Sequence, residues 1–194
     1  MRHALHRFLR FVPLSAALAL AGCLTSSTAP EVVCWNIEYI GSAQAEKGSP
    51  RFGVARVSQV VVRSPYCVKG LAVLRANGTV AFDPYNEYAA GPAAILKGAV
   101  QDALAASGLF KEVVESSSSA KSSVLVEVAF TRLALDCRDD GRRAAVELEL
   151  RIVGDRDIVA RAKGSGEADA ADGKYGAAFS RAVSDALSGA LGRL

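Results

Sequence analysis

The chain has 194 residues, 51% of them hydrophobic and 22% charged, with a formal net charge of +3, four cysteines and two histidines. Length and composition suit one globular domain with an aliphatic core. Arg2, Arg7 and Arg10, all in the first ten residues, account for the whole net charge. The remainder is neutral with mixed signs, which gives no electrostatic footprint for nucleic acid.

Residues 1–22 read as a secretion signal, with a basic start, the apolar run Phe11 to Leu20, and the small residues Ala21 and Gly22 before Cys23. The apolar run is about half the ~20 residues a membrane-spanning helix needs, so cleavage is expected. Leu20-Ala21-Gly22-Cys23 is similar to the bacterial lipobox, in which the cysteine thiol takes a diacylglycerol. Residues 23–31 then supply a polar tether, Leu24-Thr25-Ser26-Ser27-Thr28-Ala29-Pro30, and residues 32–194 are expected to form a single domain. With Cys23 as the lipid attachment site, Cys34, Cys67 and Cys137 remain in an oxidising compartment. Three cysteines cannot all pair internally, so one disulfide and one buried thiol are expected, and spacing does not select the pair.

Val32 to Ile40 reads as a first strand and Phe52 to Arg63 as a second, loosely alternating one. Two short strands flank Asn77-Gly78, predicting a hairpin with a two-residue type I′ turn. From Pro92, the stripe Ile95, Leu96, Ala99, Val100, Ala103 and Leu104 predicts a helix that stops at Gly108. Phe110 to Val114 is a short strand, and the serine-rich stretch after it is too short to separate domains. Val124 to Leu135 and Ala144 to Val153 follow as strands, the second alternating cleanly between an apolar and a charged face. Asp157 to Lys163 is a further strand and the stretch from Gly164 to Gly173 a loop. Lys174 to Leu194 predicts a second amphipathic helix, with Tyr175, Phe179, Ala182, Val183, Ala186, Leu187, Ala190 and Leu191 on one face. Together these predict an α+β fold, a largely antiparallel sheet with two amphipathic helices packed on one face.

Both histidines, His3 and His6, lie in the signal, which excludes histidine-based triads and histidine metal sites from the domain. Glu147 with Glu149, and Asp139 with Asp140, are better read as a wet strand face and a turn than as acid and base pairs. Gly164-Ser165-Gly166 is only a fragment of a dinucleotide fingerprint, without its third glycine. Asp169 and Asp172 have the wrong spacing for a calcium loop. No enzyme activity, metal or cofactor is expected. Tyr66, Tyr85 and Tyr88 concentrate in irregular chain beside the first helix and are the candidate partner-binding residues, since tyrosine offers apolar area and a hydrogen-bonding tip.

Gly53-Val54-Ala55-Arg56-Val57, Pro65-Tyr66, the hairpin end Phe82-Asp83-Pro84-Tyr85-Asn86-Glu87-Tyr88, and Pro92-Ala93-Ala94-Ile95-Leu96 through Ser107-Gly108-Leu109-Phe110 together resemble the ABC-type transport auxiliary lipoprotein family. The similarity spans roughly residues 35 to 190, and Tyr88 stands where the family pattern leads one to expect tryptophan or phenylalanine. The resemblance implies a non-enzymatic component of a lipid transport system that works with an ABC permease complex and a mammalian-cell-entry-type protein. It also implies acyl chains in the outer membrane and a domain facing the periplasm. Leu24 fits that placement, because inner-membrane retention usually involves an aspartate after the lipidated cysteine. The alternatives are a periplasmic lipoprotein that binds or activates a cell-wall or secretion component, and a small hydrolase, which the lack of histidine disfavours.

Overall fold

The computed structural model describes residues 30–41, 49–139 and 141–194. Cys23, the signal and most of the tether lie outside the described residues, as does Asp140. The folded unit is Val32–Leu194. Its elements, in chain order, are β1 (Val33–Trp35), β2 (Phe52–Val62), β3 (Gly70–Arg75), β4 (Val80–Tyr88), α1 (Pro92–Ala106), β5 (Phe110–Val114), β6 (Val124–Cys137), β7 (Arg143–Val153), β8 (Ile158–Asp169) and α2 (Tyr175–Leu191).

The largely antiparallel sheet expected from the sequence is not what forms. The eight strands make one mixed sheet of an α/β fold. Along its main path, β1-β4-β3-β6-β2-β5, only the β3–β4 pairing is antiparallel; β7 and β8 extend β6 as an antiparallel meander. Alternation of apolar and polar residues reports which face of a strand is buried, not which way its neighbour runs. Strands adjacent in sequence, β2 with β3 and β5 with β6, do not pair; β2 pairs instead with β5 and β6, both in parallel.

β6 organises the sheet. β7 occupies one of its edges from Leu125 to Asp136, so β2, against Val124 to Phe130, and β3, against Leu135 to Cys137, share the other edge in succession. β2 and β3 are thus two parts of one lane, interrupted where residues 63–69 leave the sheet. Two bulges explain why the alternation of β2 and β6 is imperfect. In β2 the extra residue is Ser58, so that buried Ala55 and Val57 precede it and buried Val62 follows on the other parity. In β6 the extra residue is Thr131, and the buried set passes from Val126, Val128 and Phe130 to Leu133 and Leu135.

The helices form where the stripes predict them. α1 starts at Pro92, buries Leu96, Ala99, Val100, Ala103 and Leu104, and ends before Gly108 at φ 68°. All eight residues of the predicted α2 stripe are buried. α1 packs on β2, β5 and α2, and α2 packs on β7 and β8, so both helices share one apolar cluster with the sheet.

Three local readings also change. The first strand ends at Trp35 rather than Ile40, because the following backbone turns to the serine side chains of α2: Glu38 N–H donates to Ser180 Oγ at 3.0 Å and Ile40 N–H to Ser184 Oγ at 2.8 Å. The hairpin turn is not type I′. Only Gly78 has positive φ, Gly78 N–H donates to the Arg75 carbonyl at 2.8 Å, and the loop is a three-residue turn with a glycine bulge. Gly164 to Asp169 is strand, not loop. Gly164 and Gly166 face α2, where an added Cβ would stand 1.9 Å from the Ala186 oxygen and 2.1 Å from the Ala182 oxygen. The glycines mark close approach of a helix to the sheet, one of the uses of glycine inside strands.

Candidate docking surface

The three tyrosines do not form one exposed cluster. Tyr88, the last residue of β4, is 1% exposed; its ring meets Trp35 edge-on at 4.5 Å and Phe179 of α2 at 6.3 Å. Trp35 stacks on Phe179 at 5.3 Å, completing a core triad. Burial pushes the Tyr88 phenol far above its ordinary pKa, and neither its Oη nor Trp35 Nε1 has a partner among the described residues. Tyr88 is therefore a core ring. Tyr66 lies in the excursion between β2 and β3, half-buried against the core. Tyr85 is the tyrosine presented to solvent, at 48% exposure.

A large bulge presents it. β4 advances five residues, from Phe82 to Glu87, while β3 advances two, from Ala72 to Gly70. The surplus is taken up by Asp83-Pro84-Tyr85, where Asp83 Oδ1 accepts the Tyr85 amide at 2.8 Å, a local turn that aspartate forms readily. Since β1 pairs only with Asn86 to Tyr88, the β4 edge from Val80 to Tyr85 carries no strand on that side among the described residues. Phe82 and Tyr85 on that stretch, and Val33 at the start of β1, are about half exposed. Lys69 and Glu87 pair across the β3–β4 junction at 3.4 Å. Open backbone groups beside exposed rings are suited to accept an extended segment of another chain.

The remaining candidates are placed as follows. Cys34 and Cys67 are exposed and Cys137 is half-buried, all three as free thiols. Glu147 and Glu149 lie on the sheet face away from the helices. Glu149 is nearly buried between Arg161 and Arg151, whose Nε atoms lie 2.8 and 2.6 Å from its Oε1. Those hydrogen bonds, Arg161's first, hold its carboxyl at about 2. Asp136 is likewise lowered to about 2, chiefly by the Arg138 hydrogen bond, with Arg132 also paired to it. Carboxylates held ionised this firmly are poor proton donors near neutral pH. Asp169 and Asp172 accept the backbone amides of Ala171 and Lys174 at 3.0 and 3.1 Å, as turn formers. No group of three His, Cys, Asp or Glu side chains close enough to hold a metal occurs among the described residues.

The serine-rich connection before β6 is clasped rather than free. Arg56 donates to the carbonyls of Ser116, Ser118 and Ala120. The serine stripe of α2 that holds residues 38–40 is a feature sequence reasoning missed, although the spacing of four between Ser180, Ser184 and Ser188 places them on one helix face.

Comparison with solved structures defines the class, a mixed-sheet α/β domain with two helices whose fold other solved proteins share. One is protein XCC0632 from Xanthomonas campestris, of the family DUF330, with a TM-score of 0.69 and 14% identity over 84% of this chain and 94% of that one. A second, an uncharacterized protein, has a TM-score of 0.53 and 12% identity over 73% and 81% of the two chains. The PelC dodecamer from Paraburkholderia phytofirmans is more distant, with a TM-score of 0.42 and 9% identity over 73% and 89%. No family model and no curated protein matches the chain. At these identities the first two likenesses establish the fold.

Proposed function

We propose that this chain is a non-enzymatic envelope lipoprotein, an auxiliary component of an ABC-type phospholipid transport system. Cys23 holds it by its acyl chains, including an amide-linked chain such as palmitate, in the outer membrane, and the domain faces the periplasm. It docks a mammalian-cell-entry-type protein or the ABC permease complex through the open β4 edge, with Tyr85 and Phe82 as the contact rings and Tyr66 as a further candidate on the excursion between β2 and β3. The observation that carries the reading is the Leu20-Ala21-Gly22-Cys23 sequence, set nine residues before a folded unit that begins at Val32. Fully extended, that connection reaches at most about 30 Å, which keeps the domain near the bilayer surface. The family resemblance of the residues supplies the transport role, and the fold shared with the DUF330 protein supports a domain of that architecture.

Two experiments test it. Feeding an alkyne-tagged fatty acid to the native host labels the wild-type chain and leaves Cys23→Ala unlabelled; equal labelling of both refutes the lipid attachment. In a pull-down from the same host, Tyr85→Ser captures far less transport partner than wild type at unchanged stability. Undiminished capture by a Tyr66, Tyr85 double variant removes the docking role of these rings.

A further inference from the structure

The sheet face away from the helices carries a groove of about 390 Å³ running across the strands, at the level of the β6 bulge. That volume falls in the range of small-molecule sites. Arg63, just past the end of β2, stands on one side, and its amide donates to the Phe130 carbonyl at 2.9 Å. Lys163 and Ser165 of β8 stand on the other, opposite Glu149 and Glu147 of β7. Beyond α2, Arg193 reaches the same groove and donates to the Lys163 carbonyl.

The charges in this groove do not cancel. Glu149 is already engaged by Arg151 and Arg161, and Glu147 by Arg132 at 3.5 Å. No carboxylate lies within ion-pair distance of Arg63, Lys163 or Arg193 among the described residues. Elsewhere on this face arginines meet acids, Arg143 with Glu167 and Arg132 with Asp136. Three cations drawn to one concavity, whose two carboxylates are already paired with other arginines, repel one another unless an anion joins them. Two planar guanidinium forks and an ammonium, approaching from different sides, match the several oxygens of a tetrahedral anion better than the two of a carboxylate.

We infer that this groove binds a phosphate group, held by Arg63, Lys163 and Arg193 with the Ser165 hydroxyl as a further donor. The phosphate comes from either a phospholipid headgroup or free phosphate, and only the choice of the headgroup rests on the transport reading.

The test is calorimetric titration of the full-length lipoprotein in a neutral detergent, with the same injections into empty micelles subtracted. The probes are sodium phosphate and dihexanoyl phosphatidylglycerol. Saturable binding of either probe supports the site, and tighter binding of the lipid by about tenfold or more selects the headgroup. Arg63→Gln and Lys163→Gln each weaken binding by about fivefold to tenfold, whereas Arg143→Gln, whose arginine is paired with Glu167, leaves it unchanged. Urea midpoints of the variants show whether each remains folded. No saturable binding of either probe, or equal binding by the folded Arg63→Gln, Lys163→Gln double variant, overturns the inference. Failure of the transport reading leaves the phosphate titration intact and is seen only in partner capture, which separates the two.

Discussion

Gly164 and Gly166 are held to their identity by contact rather than by backbone conformation. Each faces a carbonyl of α2 across a gap that a Cβ would close to about 2 Å, 1.9 Å at Gly164 and 2.1 Å at Gly166. Both acceptor atoms belong to helix backbone, which cannot swing aside as a side chain could. Gly166→Ala is expected to lower stability by about 1 to 3 kcal/mol, the usual range for overpacking, seen as a lower urea midpoint. An unchanged midpoint would show that α2 yields at no cost. Tyr88 makes the opposite case. Its hydroxyl is buried without a partner among the described residues, so Tyr88→Phe removes an unsatisfied polar group and keeps the ring. The expected result is a stability equal to wild type or higher by about 1 kcal/mol. A loss beyond that size would reveal a hydrogen bond that the Oη makes in solution. The identity of Tyr88 as an aromatic is legible from the hairpin pattern; its burial is not, because exposure depends on the short strand β1 and on Phe179, some ninety residues further along the chain.

Elements with an uninterrupted period were readable from sequence and those decided by distant partners were not. The stripes of α1 and α2 and the clean alternation of β7 follow from one face meeting one core. β8 alternates just as cleanly, Ala162, Gly164, Gly166 and Ala168 inward against Lys163, Ser165, Glu167 and Asp169 outward. There the two glycines read as a turn signal, but the strand follows the period. Alternation reports the buried face of a strand and only indirectly its pairing direction, so the parallel lanes of β2, β3 and β5 are not legible in it. The short β1 has a similar cause: its chain exchanges sheet partners for a helix face. Ser184 both donates to the Ser180 carbonyl at 2.7 Å and accepts the Ile40 amide at 2.8 Å, while Tyr39 Oη and Ser188 Oγ lie 3.2 Å apart. Ser184→Ala is expected to cost about 1 kcal/mol and to speed hydrogen exchange at the Ile40 amide ahead of amides in β6. Protection of Ile40 equal to wild type would mean that the serine stripe is incidental to the path of residues 36–41.

At the scale of the whole molecule the two sheet faces divide the work. One is closed by helices; the other is a lattice of opposite charges in which Arg151 and Arg161 stand directly across from one another and Glu149 bridges them. Like charges placed opposite each other across strands are destabilising, so the bridge matters to the sheet. Glu149 and Asp136 are each held at about 2, below the value of roughly 4 that such groups have in an unfolded chain. The unfolded chain therefore takes up their protons first as pH falls. Their contribution is fully present above about pH 5 and is lost as pH drops from about 4.5 toward 2. Stability measured by urea denaturation should be level from neutral pH to about 5 and then decline, and Glu149→Gln should flatten part of that decline. A decline of the same steepness in the variant would place the acid sensitivity elsewhere.

The open β4 edge and the bulge at Asp83-Pro84-Tyr85 are products of the whole topology, because β1 is too short to cover the strand it joins. The sequence marks the segment through its tyrosines and its turn-forming aspartate, yet it gives no sign that Tyr85 alone of the three is exposed. Crosslinking of the membrane-anchored protein in its native host, with mass spectrometry of the captured chains, tests the proposed role most directly. Capture of a mammalian-cell-entry-type protein or an ABC permease, lost in Tyr85→Ser, is the result predicted here; repeated capture of only cell-wall synthases or secretion components would contradict it.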